Sequence, residues 1–337
     1  MRRILLAILL LMFSTIILTG LPPQKEERRT TLYRVGLLSS SDFRLSKFEG
    51  LKEGLKNFGM YEGENIEFIV NNAKGIKDDL INQAQSLVES EVQVIVTTGR
   101  VETEAAKQVT RGSSIPVLFM GLTALKHDGL VKNLLTPSEG LTGIQNDHAA
   151  LTAKRLELLT KLLPGTKRVL LIYDPRVVPT SESLQAAFEA ARKIDIDLQS
   201  APASTLEDIR KIFQSDHKDI DAALLLPSFF LESRGANLIA SLAMEKKLPV
   251  MGVEESDTAQ LFAYYGVPLF EQGKQAARIL VKIIRGQKVE DIPVEPPTNL
   301  KLTVNLDVAK KLGTNVNKEI LGFAEVIFPE AGDRDEK

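Results

Sequence analysis

The chain has 337 residues, of which 44% are hydrophobic and 26% are charged, and its formal net charge is −2. This length accommodates two lobes, and the near-neutral charge gives no electrostatic argument for nucleic-acid binding. The chain contains no cysteine, which excludes disulfides, thiol catalysis and cysteine metal sites.

The first residues predict an export segment. Arg2 and Arg3 precede an uncharged run over residues 4–21, as in a signal peptide. As a helix this run reaches about 27 Å, close to the hydrocarbon core of about 30 Å, so an uncleaved membrane anchor is an open alternative. The arginines favour the cytoplasmic side, so both alternatives place the rest of the chain in the periplasm or on the extracellular face. Residues 22–31 are predicted to be a linker.

From Tyr33 onward, apolar runs alternate with amphipathic segments. Strands are predicted at 33–38, 65–70, 92–96, 115–120, 168–173, 196–199, 222–226 and 249–253. Helices are predicted at 45–59, 78–90, 151–163, 183–193 and 273–284. Near-continuous apolar strands separated by helices predict an α/β fold with parallel sheets covered on both faces.

The alternation falls into two series, which begin near Tyr33 and near Arg168 and are separated near Gly140–Gly143. This predicts two similar lobes. Ligands in open α/β sheets bind outside the carboxyl ends of the strands. Two facing lobes would therefore form a cleft between these ends.

An ordered set of stretches resembles the substrate-binding proteins of ABC transporters, in the family that includes tryptophan- and tyrosine-binding lipoproteins. The matching stretches are 48–68, 94–107, 115–119, 129–134, 141–145, 156–175, 247–256, 273–297 and 305–313. The resemblance implies a monomer with a type I periplasmic binding protein-like fold, in which two Rossmann-like lobes are joined by a hinge. We expect residues 32–144 plus about 266–290 in lobe 1, residues 145–265 plus about 291–330 in lobe 2, and a tail at 331–337.

The chain departs from the family pattern at the pocket and at the export signal. Family members tend to carry Gly-Thr at Gly99-Arg100, Thr-Asp-Pro at residues 123–125 and Asp-Asn at Phe229-Phe230. The segment LTGL at residues 18–21 resembles a lipoprotein box that ends in leucine instead of the lipidated cysteine. The resemblance therefore implies the fold, whereas the family's amino-acid ligands and its lipid anchor do not follow.

Arg100 is the sharpest candidate for a ligand contact, because it follows Gly99 directly at the end of a predicted strand. A guanidinium group binds a carboxylate or phosphate through paired N–H groups. Two alternatives stay open. Arg100 could be solvated and neutralised by Glu102 or Glu104, or it could fill the site itself.

The other candidates also follow predicted strands. The serine cluster that ends at Asp42 could bind an anion or zwitterion or cap a helix. Phe229 could stack on an aromatic ligand, and we expect one member of the Phe229-Phe230 pair to lie in the core, because neighbouring side chains point different ways. The carboxylate of Glu255 could bind a ligand amine or lie in a surface loop. The complete predicted ligand-binding set is Ser39, Ser40, Ser41, Asp42, Gly99, Arg100, Gly121, Thr123, Asp174, Ser181, Ser228, Phe229, Glu255 and Ser256.

The sequence carries no pattern typical of an enzyme. His127, His148 and His217 are scattered without metal-ligand spacing, and no nucleophile elbow, phosphate loop or dinucleotide fingerprint is present. We expect no catalytic residue, no metal and no cofactor.

We expect a solute-binding protein of an ABC importer. It would bind a small organic molecule, amino-acid-like or carboxylate-bearing, in the interlobe cleft and deliver it to permease subunits. A membrane-tethered sensory or interaction module with the same fold and a diverged pocket is the alternative.

Overall fold

The computed structural model describes residues 32–122, 125, 129–137, 139–177, 180–215, 219–253 and 260–327. The described residues from Tyr33 to Ile327 form one compact unit. The predicted export segment, the tail, and the candidates Thr123, Glu255 and Ser256 lie outside the described residues. Of the helices within the described ranges, none combines the length and apolar character that a membrane crossing requires.

The first lobe is built on a five-stranded parallel sheet in the order β2-β1-β3-β4-β5. Its strands are β1 (Tyr33–Ser39), β2 (Ile66–Asn72), β3 (Val94–Thr97), β4 (Val117–Leu122) and β5 (Leu141–Gln145). Its first helices are α1 (Leu45–Lys56), α2 (Leu80–Glu89) and α3 (Arg100–Val109), and a short 3-10 turn spans Asp42–Arg44. In β3, Val94 and Val96 enter the core on one face and Ile95 enters the core on the other. The sheet is therefore buried on both faces, as its apolar runs predict.

The second lobe is built on a seven-stranded sheet in the order β12-β11-β10-β9-β8-β6-β7. Neighbouring strands are parallel except for β10 and β11. The strands are β6 (Arg168–Tyr173), β7 (Asp197–Pro202), β8 (Ala222–Leu225), β9 (Val250–Gly252), β10 (Ala263–Gly266), β11 (Lys301–Asn305) and β12 (Glu325–Ile327). The helices are α4 (His148–Leu162), α5 (Thr180–Lys193), α6 (Leu206–Gln214), α7 (Phe229–Glu232), α8 (Ala236–Glu245), α10 (Leu306–Leu312) and α11 (Lys318–Leu321). The predicted fold class, two α/β lobes with mainly parallel sheets, is confirmed.

Helix α9 (Leu269–Ile284) follows β10 of the second lobe but packs in the first. Its Ala276 and Leu280 join the core that contains Leu51 of α1. The two helices approach so closely that a Cβ at Gly273 would overlap the carbonyl oxygen of Lys47. After α9 and a 3-10 turn at Val289–Asp291, the chain returns to the second sheet through β11.

These packings are the basis on which we propose the lobe boundaries near residues 144, 266 and 290. The chain passes from the first sheet into α4 after β5, returns through α9, and crosses again before β11. Residues at these crossings connect elements of the two lobes. The cleft candidates are therefore carried on the loops that follow the strands of both lobes.

Candidate functional site

The serine cluster lies at the carboxyl ends of β1 and β3, which are neighbours in the first sheet. Ser39 and Ser40 are buried. The Ser39 hydroxyl donates to the carbonyl oxygen of Ser41 at 3.0 Å and accepts from the Thr98 hydroxyl at 3.3 Å. Residues far apart in sequence meet here because parallel strands end at one edge of the sheet.

Glu102, in the first turn of α3, is fully buried behind this cluster. Its carboxylate accepts from the Ser40 backbone N–H at 2.9 Å and from the Thr98 hydroxyl at 2.8 Å. It also pairs with Arg44 Nη1 at 3.4 Å. Burial raises the pKa of Glu102, but the Arg44 charge and the hydrogen bonds outweigh burial and hold this pKa below its usual value. Glu102 is therefore a carboxylate at neutral pH.

Arg44 connects the two lobes. It ends the 3-10 turn after β1, and its side chain is only 11% exposed. Its guanidinium carbon lies 5.1 Å from the ring centroid of Phe229, the first residue of α7 in the second lobe. Gly99 makes room for this arrangement, since a Cβ at that position would overlap Arg44 Nη1.

Several buried polar atoms in the loops after β1 and β5 lack a hydrogen-bond partner in the described part of the chain. They include the hydroxyls of Ser40 and Ser41, and the side-chain amide oxygen of Asn146. Ser40 and Asn146 are each only 2% exposed. A buried polar group without a partner costs about 1–3 kcal/mol. A polar ligand group that paired with these atoms would recover that cost.

The predicted capping alternative for the serine cluster is not realised by Ser41. Ser41 precedes the 3-10 turn, but its side chain makes no capping hydrogen bond. The carboxylate of Asp42 instead accepts from the Asn72 side chain at 2.7 Å.

In the second lobe, Asp174 follows β6 and accepts from Arg176 Nη2 at 2.7 Å and Nε at 2.9 Å. The hydroxyls of Ser204 and Ser228 donate to it at 3.3 and 3.4 Å. Burial raises the pKa of Asp174, but these hydrogen bonds and the Arg176 charge bring it below its usual value. Ser228 also caps α7 by accepting from the Leu231 N–H.

The two adjacent phenylalanines lie in different surroundings. Phe229 faces Arg44, as described above. Phe230 packs against the second-lobe core, and its ring centroid lies 5.7 Å from the Arg176 guanidinium carbon. This agrees with the expectation that one member of the pair belongs to the core.

The remaining predicted candidates occupy distinct places. Arg100 Nε pairs with Glu104 at 2.9 Å along α3, whereas Glu102 contacts Arg44. Gly121 has φ of +82°, and a Cβ there would overlap Gln272 Oε1. Ser181 is exposed near the start of α5. The ligand-binding roles of the whole predicted set stay predictions.

Buried cationic groups at the lobe junction escaped the sequence analysis. Lys47 Nζ donates to the carbonyl oxygens of Thr98 and Met120, both at 2.8 Å. Arg155 is fully buried, and its Nε donates to the Tyr265 carbonyl oxygen at 2.7 Å. Both lie on helical segments whose pattern predicts amphipathic helices, and nothing in that pattern distinguishes a buried cation from a solvated one.

His148, which begins α4, lies beside these cations, with its Nδ1 at 3.4 Å from Arg155 Nη2. Burial, followed by the charges of Arg155, Lys47 and Arg44, places the pKa of His148 well below 6.5. The folded state therefore holds His148 neutral at pH values where the unfolded chain protonates it.

We expect stability to decrease as pH falls below about 6.5, because the unfolded state then binds the additional proton. The His148 contribution is fully present above this pH. Its maximum slope is about 1.4 kcal/mol per pH unit. Urea denaturation between pH 5 and 7 should show a flatter profile for His148→Gln than for the wild type. Identical slopes would mean that His148 titrates normally in the folded protein.

A separate groove of about 830 Å³ lies at the opposite end of the first lobe. Its lining includes Gln93, Pro116 and Gly140, which precede strands β3, β4 and β5. It is therefore remote from the strand ends that form the cleft. Within the described residues, no group of acidic or histidine side chains could hold a metal ion.

Comparisons with known proteins agree on a family. The family model described as ABC transporter substrate binding protein matches residues 35–327. The tyrosine-binding protein of Clostridioides difficile strain R20291 is 24% identical over 265 residues, which are 78% of this chain and 75% of that protein.

Two solved structures support the same fold. A conserved domain protein from Vibrio cholerae is 23% identical with a TM-score of 0.77, covering 89% of this chain and all of that chain. An ABC domain from Streptococcus pneumoniae in complex with L-Trp is 18% identical with a TM-score of 0.78, covering 88% of this chain and all of the other. The family consists of substrate-binding proteins rather than enzymes. Because the family model spans nearly all of the described residues, the chain belongs to the family of ABC transporter substrate-binding proteins.

Proposed function

We propose that this protein is the extracytoplasmic solute-binding component of an ABC importer. It binds a small amino-acid-like or carboxylate-bearing molecule between its lobes and delivers it to permease subunits. One observation carries this proposal: the hydroxyls of Ser40 and Ser41 are buried without a partner in the described part of the chain, and Glu102, which accepts from the Ser40 backbone, pairs with the Arg44 guanidinium that contacts both lobes. Hydroxyl and guanidinium donors suit a carboxylate.

The cleft combines these polar donors with an aromatic surface from Phe229. A few convergent polar groups beside apolar side chains are typical of small-molecule sites. The tyrosine-binding relative and the L-Trp complex support an amino-acid-like ligand. A ligand that touches both lobes favours the closed arrangement by the difference between its affinities for the closed and open forms.

Several further properties belong to the same proposal. Ligand contacts come from the predicted set, with Ser39–Asp42 and Gly99 in the first lobe and Asp174, Ser228 and Phe229 in the second. The protein acts as a monomer without a cofactor. The predicted export segment supports a location outside the cytoplasmic membrane, with the protein either released after cleavage or anchored by residues 4–21.

A thermal-shift screen of the full-length chain tests this function. The library contains amino acids, small carboxylates, nucleobases and sugars. A ligand at 100 times its dissociation constant adds about 2.7 kcal/mol of stability, so a true ligand should clearly raise the melting temperature. A stabilising amino acid or carboxylate supports the proposal. No shift with any compound contradicts it and favours the sensory or interaction module.

A further inference from the structure

We propose that Arg44 is the residue that selects a carboxylate in this cleft. The inference rests on the proposed function and assigns its ligand specificity to a side chain that the sequence analysis passed over. Arg44 is distinct from Arg100, which the sequence places more conspicuously at the end of a predicted strand. Arg44 pairs with a buried carboxylate and contacts both lobes, whereas Arg100 pairs with a half-exposed carboxylate on its own helix.

Arg44 is held in a defined orientation. Glu102 receives hydrogen bonds from the Ser40 backbone and the Thr98 hydroxyl, so its carboxylate is a rigid partner for Arg44 Nη1. The Phe229 ring supplies a second contact, since its centroid lies 5.1 Å from the guanidinium carbon. A planar guanidinium held by an ion pair and a ring contact presents its remaining donors in a set direction, which favours recognition of a planar carboxylate.

The neighbouring hydroxyls complete an anion site. Ser40 and Ser41 precede Arg44 by four and three residues in the chain, and their buried hydroxyls have no partner within the described ranges. Hydroxyl donors next to a guanidinium give charge-assisted hydrogen bonds to a carboxylate. A carboxamide of the same shape carries no charge and would lose this advantage.

The position of Arg44 also links recognition to lobe closure. Its ion pair lies within the first lobe, and its ring contact lies in the second. A carboxylate bound to this guanidinium therefore sits where the lobes meet. The binding energy of the carboxylate therefore adds to the difference in ligand affinity between the closed form and the open form.

Arg100 supplies a matched comparison, since it is also an arginine near the end of β3. Its Nε pairs with Glu104 one turn along α3, and Glu104 is half exposed. Such a pair along a helix surface contributes about 0.3–0.5 kcal/mol. Neutralising Arg100 should therefore change ligand selectivity much less than neutralising Arg44.

The test measures dissociation constants by titration calorimetry for the full-length wild type, Arg44→Gln, Arg44→Lys and Arg100→Gln. The probes are matched pairs: L-tryptophan and L-tryptophanamide, L-tyrosine and L-tyrosinamide, and 3-phenylpropionate and its amide. We expect the wild type to bind at least one carboxylate at least tenfold more tightly than its amide. Arg44→Gln should weaken that carboxylate at least tenfold, leave the amide within threefold, and so abolish the preference. Arg100→Gln should retain it.

Thermal unfolding of each variant establishes that it is folded. Arg44→Lys keeps the charge but removes the planar fork, so its carboxylate preference should fall between those of the wild type and Arg44→Gln. If Arg44→Gln does not fold, the comparison of Arg44→Lys with the wild type tests the assignment. A carboxylate preference that persists in the Arg44 variants overturns the assignment of Arg44 and leaves the proposed function intact. Failure of the wild type to bind any probe overturns the assignment, and a negative thermal-shift screen in addition would overturn the proposed function.

Discussion

Replacing Glu102 by alanine is expected to lower the free energy of unfolding by about 3–5 kcal/mol, as for other broken buried ion pairs. The substitution leaves the Arg44 guanidinium beside Phe229 without its ion-pair partner in α3. It also deprives the Ser40 N–H and the Thr98 hydroxyl of their acceptor. Urea denaturation at pH 7 measures the loss.

Two further variants separate charge from hydrogen bonding. Glu102→Gln keeps an acceptor oxygen, so we expect a smaller loss of about 1–3 kcal/mol. Glu104→Ala, the surface partner of Arg100 on the same helix, should cost less than about 1 kcal/mol. If Glu102→Ala cost no more than Glu104→Ala, Glu102 would contribute nothing as the centre of a buried network.

Replacing Gly273 by alanine should destabilise the protein by about 2 kcal/mol. The new Cβ would overlap the Lys47 carbonyl oxygen and lie 2.8 Å from the Leu51 nitrogen. Both are main-chain atoms of α1 and cannot move without displacing the helix. Overpacking of this kind lowers the free energy of unfolding by about 3 kcal/mol. The better helix propensity of alanine offsets about 1 kcal/mol of this loss.

Gly322→Ala is the control for this prediction. Gly322 has φ of −63°, and the atom nearest to a Cβ there lies at 3.6 Å. We expect a change of less than about 1 kcal/mol, neutral or stabilising. Equal midpoints of urea denaturation for the two variants would contradict the close packing of α1 against α9.

The fold was predictable because its signals are local and repeated. The runs at 33–38 and 168–173 became β1 and β6, since a continuous apolar stretch bounded by polar residues fits the central sheet of a lobe that is covered by helices on both faces. Strands β5, β10, β11 and β12 were not predicted. The sequence that forms β11 and β12 is short and contains polar residues, so it lacks the continuous apolar character of a central strand.

The site was predictable only as a region. Parallel strands end at one edge, so the loops after β1 and β3 could be placed together from sequence. Which arginine enters the cleft depends on side-chain direction. Arg44 looks like an ordinary polar residue at the start of a helix until Glu102 and Phe229, from two other segments, are brought against it. A charged residue at the end of a predicted strand was the available signal, and it pointed to Arg100, because Arg44 lies five residues after β1.

The return of α9 to the first lobe also governs when that lobe can fold during synthesis. Its core contains Ala276, Leu280 and Ile292, which cover one face of the sheet begun at Val35. A nascent chain that ends before α9 leaves α1 without its partner helix on this face, so the lobe cannot reach its native packing until most of the polypeptide exists. Delayed folding keeps the chain extended for passage through a translocation channel, which suits a protein whose N-terminus carries a predicted export segment.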